Sequence, residues 1–159
     1  MRHILPILLL LLAVQPAHAQ PEAVLPAGAR IVDYVRTIDG DTIVVRDGAP
    51  AELHVRLFGV DCPELKAGTP EAFAAAYWTA RCLCDDQAAA VALEQDPVAS
   101  TDSFGRTLAW VWFRPAGCSG WSLLNEGIVR SGNGTLYEAC QSARYLDRLR
   151  EALVWADSR

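Results

Sequence analysis

Residues 29–60 read A-R-I-V-D-Y-V-R-T-I-D-G-D-T-I-V-V-R-D-G-A-P-A-E-L-H-V-R-L-F-G-V, and this stretch decides the fold. Ala29 to Ile38 is rich in Ile, Val and Tyr, the residue types that fit a pleated, half-buried surface. Asp39-Gly40-Asp41 interrupts it as a turn, Thr42 to Arg46 resumes extended, and Asp47-Gly48 turns the chain again. From Ala51 to Val60 a third strand alternates: Leu53, Val55 and Leu57 share one face, and His54, Arg56 and Phe58 share the other. Three short strands joined by tight turns predict a meander, with Arg56 directed away from the aliphatic face.

Downstream, Thr69 is a good N-cap, Pro70 suits the first helical position and Glu71 suits the helix dipole, so a helix is expected to about Cys82. Ala89 to Gln95 and Arg106 to Phe113 read as a fourth and a fifth strand, and Gly117 to Gly120 as a turn. Trp121 to Ile128 reads as a short helix, Gly132-Asn133-Gly134 as a loop and Leu136 to Trp155 as a last helix. Five short strands, with a helix before the fourth and helices at the end, predict an α+β domain: a five-stranded barrel of the OB type with about three α-helices.

Residues 1–19 are expected to lie outside that domain. Met1-Arg2-His3 is a short basic start, Ile4 to Val14 is apolar apart from one proline, and Ala17-His18-Ala19 has the small-x-small form of a cleavage site. This is the pattern of a secretory signal, and the run is short for a membrane span. A periplasmic or secreted protein follows, with residues 20–28 a flexible lead-in and 29–159 one domain. Removing residues 1–19 removes one arginine, leaving 13 basic against 19 acidic residues in 140. Five cysteines follow the signal: Cys62, Cys82, Cys84, Cys118 and Cys140. In an oxidising compartment up to two bridges are expected, with one thiol over and the pairing open. A zinc site is disfavoured, because Cys82-x-Cys84 has the wrong spacing and His54 is the one histidine near any motif.

Three clusters at strand ends carry the candidate chemistry: Asp39-Gly40-Asp41-Thr42, then Arg56 through Asp61-Cys62-Pro63-Glu64, then Asp102-Ser103-Phe104-Gly105-Arg106. Carboxylates at Asp41, Asp61 and Glu64 would repel one another unless a cation sits among them, and hard oxygen donors suit Ca²⁺ or Mg²⁺. Arg56 and Arg106 lie among hydrophobic strand residues, where a guanidinium needs a partner. That partner is a structural carboxylate or, beside a bound cation, a phosphate.

Thr37 to Thr42 (T-I-D-G-D-T), Arg56 to Glu64 (R-L-F-G-V-D-C-P-E), Asp102 to Trp112 (D-S-F-G-R-T-L-A-W-V-W) and Leu123 to Ser131 (L-L-N-E-G-I-V-R-S) together resemble the staphylococcal nuclease family, also called thermonucleases. The resemblance implies a Ca²⁺-dependent nuclease acting on DNA and RNA in single-stranded or unwound form, with 3′-phosphate products and Mg²⁺ or Mn²⁺ as lesser alternatives. It implies that Asp41, Asp61 and the backbone carbonyl of Cys62 hold the cation and that Glu64 orients or deprotonates the attacking water. Arg56 and Arg106 would bind the phosphate and stabilise its transition state, and Asp39 would support the cation's carboxylates. Cys62 stands where the family usually has threonine, and Phe104 where it often has tyrosine. The change to Phe104 loses a hydroxyl that could touch phosphate. The segment after Arg130 is shorter and lacks a pair of base-stacking aromatics; Tyr137 and Tyr145 are the candidate substitutes, with helix-core packing the favoured reading for Tyr145, and Phe104 and Tyr137 are the candidate substrate-binding residues. A monomer is expected.

The acidic balance and the single lysine, Lys66, argue for weak non-specific grip on a polyanion. They motivate an alternative, a non-catalytic OB module of the cell envelope that binds nucleic acid or protein. The cysteines motivate another, a disulfide-stabilised accessory protein. Five charged residues kept together in ordered motifs favour the enzyme. The short pattern Asn133-Gly134-Thr135 matches a glycosylation acceptor and carries little weight.

Overall fold

The structure, a computed structural model, describes residues 21–84, 86–137 and 142–159. Its eight strands are β1 (Arg30–Asp39), β2 (Thr42–Arg46), β3 (Glu52–Leu57), β4 (Val60–Asp61), β5 (Ala88–Glu94), β6 (Thr107–Pro115), β7 (Ser122–Leu123) and β8 (Thr135–Leu136). Three helices join them: α1 (Pro70–Leu83), α2 (Leu124–Arg130) and α3 (Leu146–Asp157). The main sheet runs β3-β2-β1-β5-β6-β7, and an additional pairing of β3 with β6 closes it. The result is a closed five-strand mixed barrel with three helices, the OB-type architecture that the strand pattern predicts.

The closing seam is parallel, pairing Val55 with Thr107, Arg56 with Leu108 and Leu57 with Ala109. Its neighbour β2 pairs antiparallel with β3, setting Thr42 opposite Arg56. Three segments far apart in sequence are therefore fixed side by side by backbone ladders: the start of β2, the end of β3 and the start of β6. Val55 and Leu57 face the core, as their alternation predicts, and Arg56 does not. Phe58 is an exception to that alternation. It is buried edge-on against Trp110, with ring centroids 5.2 Å apart, because the strand ends there and the chain turns at Gly59 (φ 73°). Only glycine takes that conformation without strain, so the expected single strand to Val60 is divided into β3 and β4.

Thr69 caps α1 as expected, its Oγ1 accepting from the Ala72 N–H at 3.3 Å. The helix buries Ala72, Ala75, Ala76, Thr79 and Leu83. Thr79 Oγ1 donates to the Gly40 carbonyl at 2.6 Å and so ties α1 to the turn between β1 and β2. The second helix starts later than its apolar run suggests. Ser122 and Leu123 pair with Phe113 and Trp112 as β7, and the ladder claims these residues before α2 begins. The last helix also starts later, at Leu146, because Thr135–Leu136 pairs with Asp61 and Val60 as β8. Part of the stretch read as a lead-in is anchored: the Glu22 N–H donates to the Trp121 carbonyl at 2.6 Å, and the Glu22 carbonyl accepts from the Trp121 N–H at 2.8 Å.

The core holds two fully buried tryptophans whose indole N–H groups find carboxylates, Trp110 on Asp96 at 2.8 Å and Trp112 on Glu94 at 2.9 Å. Arg144 pairs with Glu94, and Tyr145 donates to Glu94 at 3.0 Å while lying edge-on to both tryptophans. Tyr145 thus packs on the core, as its position among leucines predicts. Asn125 holds α2 on the barrel: Nδ2 donates to Phe58 (3.0 Å) and Ala109 (3.3 Å) carbonyls, and Oδ1 accepts from Val111 (2.8 Å).

The expected bridges are not formed among the described residues, where Cys62, Cys82, Cys84 and Cys118 are free. Cys62 is buried beside Gly40 and Gly134, and the Cys84 thiol donates to Asp86 at 2.8 Å. Cys140 and the signal-like residues 1–19 lie outside the described residues. No described helix is long and apolar enough to cross a membrane.

Candidate active site

The seam between β3 and β6 gathers the charged residues. Asp41 immediately precedes β2, Arg56 lies near the end of β3, and Arg106 immediately precedes β6. The Arg56 guanidinium spans two carboxylates, with Nη1 on Asp41 Oδ1 and Nη2 on Asp61 Oδ1 at 2.8 Å; Nη2 also donates to the Val60 carbonyl at 3.2 Å. Asp41 is held from the other side by the Cys62 N–H, 2.6 Å from Oδ2, and by the Thr42 hydroxyl, 3.1 Å from Oδ1. Arg106 reaches the same group, with Nη1 3.4 Å from Thr42 Oγ1. Its Nε donates to Asp102 Oδ2 at 2.6 Å, while Asp102 Oδ1 takes the backbone N–H groups of Phe104 and Arg106, each at 2.9 Å. Asp102 therefore folds its loop into a turn that aims Arg106 along the seam.

Asp41 is 1 % exposed and Arg56 13 %, whereas Asp61 is 55 % exposed, so the cluster grades from interior to solvent. Burial pushes the Asp41 carboxyl up to about 7; Arg56 opposes the rise, and the neighbouring Asp39 carboxyl adds to it. Asp39 is itself buried, and among the described residues its Oδ1 has no hydrogen-bond partner. One guanidinium shared between two carboxylates, with a third buried carboxylate oxygen unanswered, leaves the pocket short of positive charge.

A cleft of about 400 Å³ opens over the guanidiniums, lined by Arg56, Arg106, Val60, Phe104 and Tyr137 among others. Phe104 is 82 % exposed, and Arg106 lies over its ring at 5.5 Å. Tyr137 is half exposed and is fixed through its backbone N–H on the Gly59 carbonyl at 3.0 Å. Two guanidiniums and two exposed aromatic rings around one cleft suit a ligand that carries phosphate and flat rings.

A model of staphylococcal nuclease homologues matches residues 54–158. The thermonuclease of Staphylococcus hyicus is 35 % identical over 131 residues, which cover 79 % of this chain and 70 % of that relative. The chain belongs to the staphylococcal nuclease family.

Measured against the residue set implied for a staphylococcal nuclease, the structure brings together Asp41, Asp61, Arg56 and Arg106, with Asp39 behind them and Cys62 joined to Asp41 through its backbone. Among the described residues no hydrogen bond or ion pair joins Glu64 to them. Glu64 precedes a 3-10 turn (Leu65–Ala67), is exposed, and pairs with Lys66 at 3.2 Å. Among the described residues no three His, Cys, Asp or Glu side chains converge as a metal cage, because Arg56 lies between the carboxylates. Sequence reasoning missed the hydrogen bonds that aim the arginines, from Thr42 and Asp102, although both residues fall within the quoted motifs. It also missed the buried Glu94 and Asp96. Their signal is two acids two residues apart at the end of an apolar strand, the spacing that sets both on one face. Burial pushes the Cys62 thiol up, away from the reactive thiolate, so Cys62 acts here as a packed side chain with a useful backbone.

Proposed function

We propose that the protein is an exported phosphodiesterase that hydrolyses DNA and RNA with the help of a divalent cation, Ca²⁺ ahead of Mg²⁺ or Mn²⁺. As a member of the staphylococcal nuclease family the chain is a nuclease. The observation that carries the finer reading is the span of Arg56 across Asp41 and Asp61 with Arg106 beside them. Export rests on the signal-like residues 1–19 alone.

The donor set fits a hard cation. Asp41 and Asp61 already lie within reach of one shared positive group, and the unanswered Asp39 oxygen marks a deficit of positive charge. Asp41, Asp61 and the backbone carbonyl of Cys62 would hold the ion, which when bound supplies positive charge against the phosphate oxygens. The chain's own residues do the rest. Once the carboxylates are neutralised, the two Nη groups of Arg56 are free to turn to two phosphate oxygens. Arg106, fixed by Asp102 through Nε and touching Thr42 through Nη1, offers Nη2 to the same phosphate. Guanidiniums held in place before reaction stabilise charge that develops in the transition state. Glu64 is assigned the attacking water from its place in the motif; it must leave Lys66 to take that role. The substrate is single-stranded or unwound, and the enzyme acts as a monomer.

The test is cleavage of denatured DNA and of RNA by the purified protein with Ca²⁺, Mg²⁺, Mn²⁺ or EDTA. Calcium-supported cleavage abolished by EDTA is expected. Inactivity with every metal across pH 6–9, or activity indifferent to EDTA, overturns the proposal.

A further inference from the structure

The arginine cleft is one of two that meet at β4. Pairing of Val60–Asp61 with Thr135–Leu136 makes a low ridge between them. Val60 and Tyr137 line the arginine side. Asp61, Cys62 and Thr135 line the other, a cleft of about 510 Å³ whose opposite wall is Glu71 and Ala74 of α1. Neighbouring strand residues point to opposite faces, so Val60 and Asp61 serve different clefts. Gly134 keeps the ridge low: a Cβ there would sit 3.0 Å from Cys62 Sγ and 3.2 Å from Val60 Cγ1.

The chemistry of the two clefts differs. Among the described residues the second is lined by no lysine or arginine, and it carries the carboxylates of Asp61 and Glu71 and the hydroxyl of Thr135. Asn133 also lines it and commits its Nδ2 to Ser131 Oγ at 2.9 Å, which leaves its carbonyl oxygen as an acceptor. Such a wall repels phosphate and accepts from neutral N–H donors. Along α1 the residues Glu71, Ala74 and Tyr77 recur every third position and so form one row on the helix surface. Tyr77 ends that row 69 % exposed, one turn beyond the cleft, an open aromatic face of the kind on which bases stack.

We infer that this second cleft receives the base of the nucleotide next to the scissile phosphate, with Glu71 and Asn133 accepting from an exocyclic amino group and Tyr77 stacking the following base. The inference rests on nucleic acid being the substrate, and it adds a preference. Cytosine, adenine and guanine carry amino donors; thymine and uracil carry none.

The test is an NMR titration of the ¹⁵N-labelled protein with phosphorothioate-linked oligo-dC and oligo-dT trinucleotides. Saturable shifts are expected at the Gly134 and Thr135 amides, with oligo-dC binding about tenfold tighter than oligo-dT, the scale of one good hydrogen-bonded base contact. Glu71→Ala should reduce that preference to about twofold, and Tyr77→Ala should weaken both ligands about fivefold through lost stacking. Both sites are exposed, so the variants are expected to keep the wild-type amide spectrum elsewhere. Unmoved amides at saturation, or an unchanged preference in Glu71→Ala, overturn the inference. Cleavage measured in parallel separates the two readings. Binding here without cleavage defeats the proposed hydrolysis alone, and cleavage without these shifts defeats the base subsite alone.

Discussion

Replacing Arg56 by lysine keeps the charge and removes the fork. Arginine makes three contacts at once, to Asp41, to Asp61 at 2.8 Å and to the Val60 carbonyl at 3.2 Å, from two nitrogens. A single Nζ reaches Asp41, the buried partner, and forfeits the other two. The lost carbonyl bond is worth about 1 kcal/mol, and the lost Asp61 pair adds less than that because Asp61 is 55 % exposed. Arg56→Lys should therefore lower unfolding free energy by roughly 1–2 kcal/mol. The effect on rate should be larger: losing one placed donor to a developing charge costs about 10²–10³ in kcat, or roughly 3–4 kcal/mol. Arg36→Lys is the control, since its pair with Glu52 (2.6 Å) is half exposed and should move stability by less than about 0.5 kcal/mol. Urea unfolding and initial rates on denatured DNA read both quantities. A folded Arg56→Lys protein within threefold of wild-type kcat would refute the reasoning.

Other outcomes follow from the same contacts. Glu64→Gln is expected to unfold like wild type, because Glu64 is exposed and pairs only with Lys66 among the described residues, yet to lose most cleavage; wild-type rates would remove Glu64 from the chemistry. Asn125→Ala takes the partner from the buried Phe58 carbonyl and Val111 N–H, while the Ala109 carbonyl keeps the Phe58 N–H at 2.9 Å, and should cost about 2 kcal/mol in urea unfolding. Gly40→Ala would push a Cβ to 2.7 Å from Ala75 Cβ and 2.9 Å from Cys62, both on packed elements, and should cost about 2–3 kcal/mol. Burial alone would raise the Asp96 carboxyl, but N–H donors from Arg144, Val98 and Trp110 outweigh it and hold it below its ordinary value. A depressed folded value stabilises above the ordinary carboxylate range and fades as acid protonates the group. The advantage of wild type over Asp96→Asn should thus be full at neutral pH and shrink below about pH 4.

The barrel was legible because its first three strands announce themselves by alternation and by Asp-Gly turns. That legibility carried into the site: once β2, β3 and β6 lie side by side, Asp41, Arg56 and Arg106 must be neighbours. What stayed hidden depends on pairing across long sequence distances. Ser122 and Leu123 look helical in isolation and become strand because Phe113 and Trp112 offer them a ladder. Leu136 belongs to a helical-looking run and is held instead by Val60. The placement of Glu64 could not be read from its motif, since a side chain three residues past a metal-type carboxylate can turn either way, and here it turns to Lys66. The cysteine count suggested bridges, but two thiols found other surroundings: Cys62 beside two glycines, and Cys84 against Asp86.

The central claim is that both guanidiniums address one phosphate beside the Asp41–Asp61 pair. A crystal structure of the protein with Ca²⁺ and a phosphorothioate dinucleotide measures this directly. The account predicts one phosphate within hydrogen-bonding distance of Arg56 and Arg106, with Arg56 released from Asp61. A phosphate bound away from either arginine, or Arg56 still clamped between both carboxylates, would contradict it.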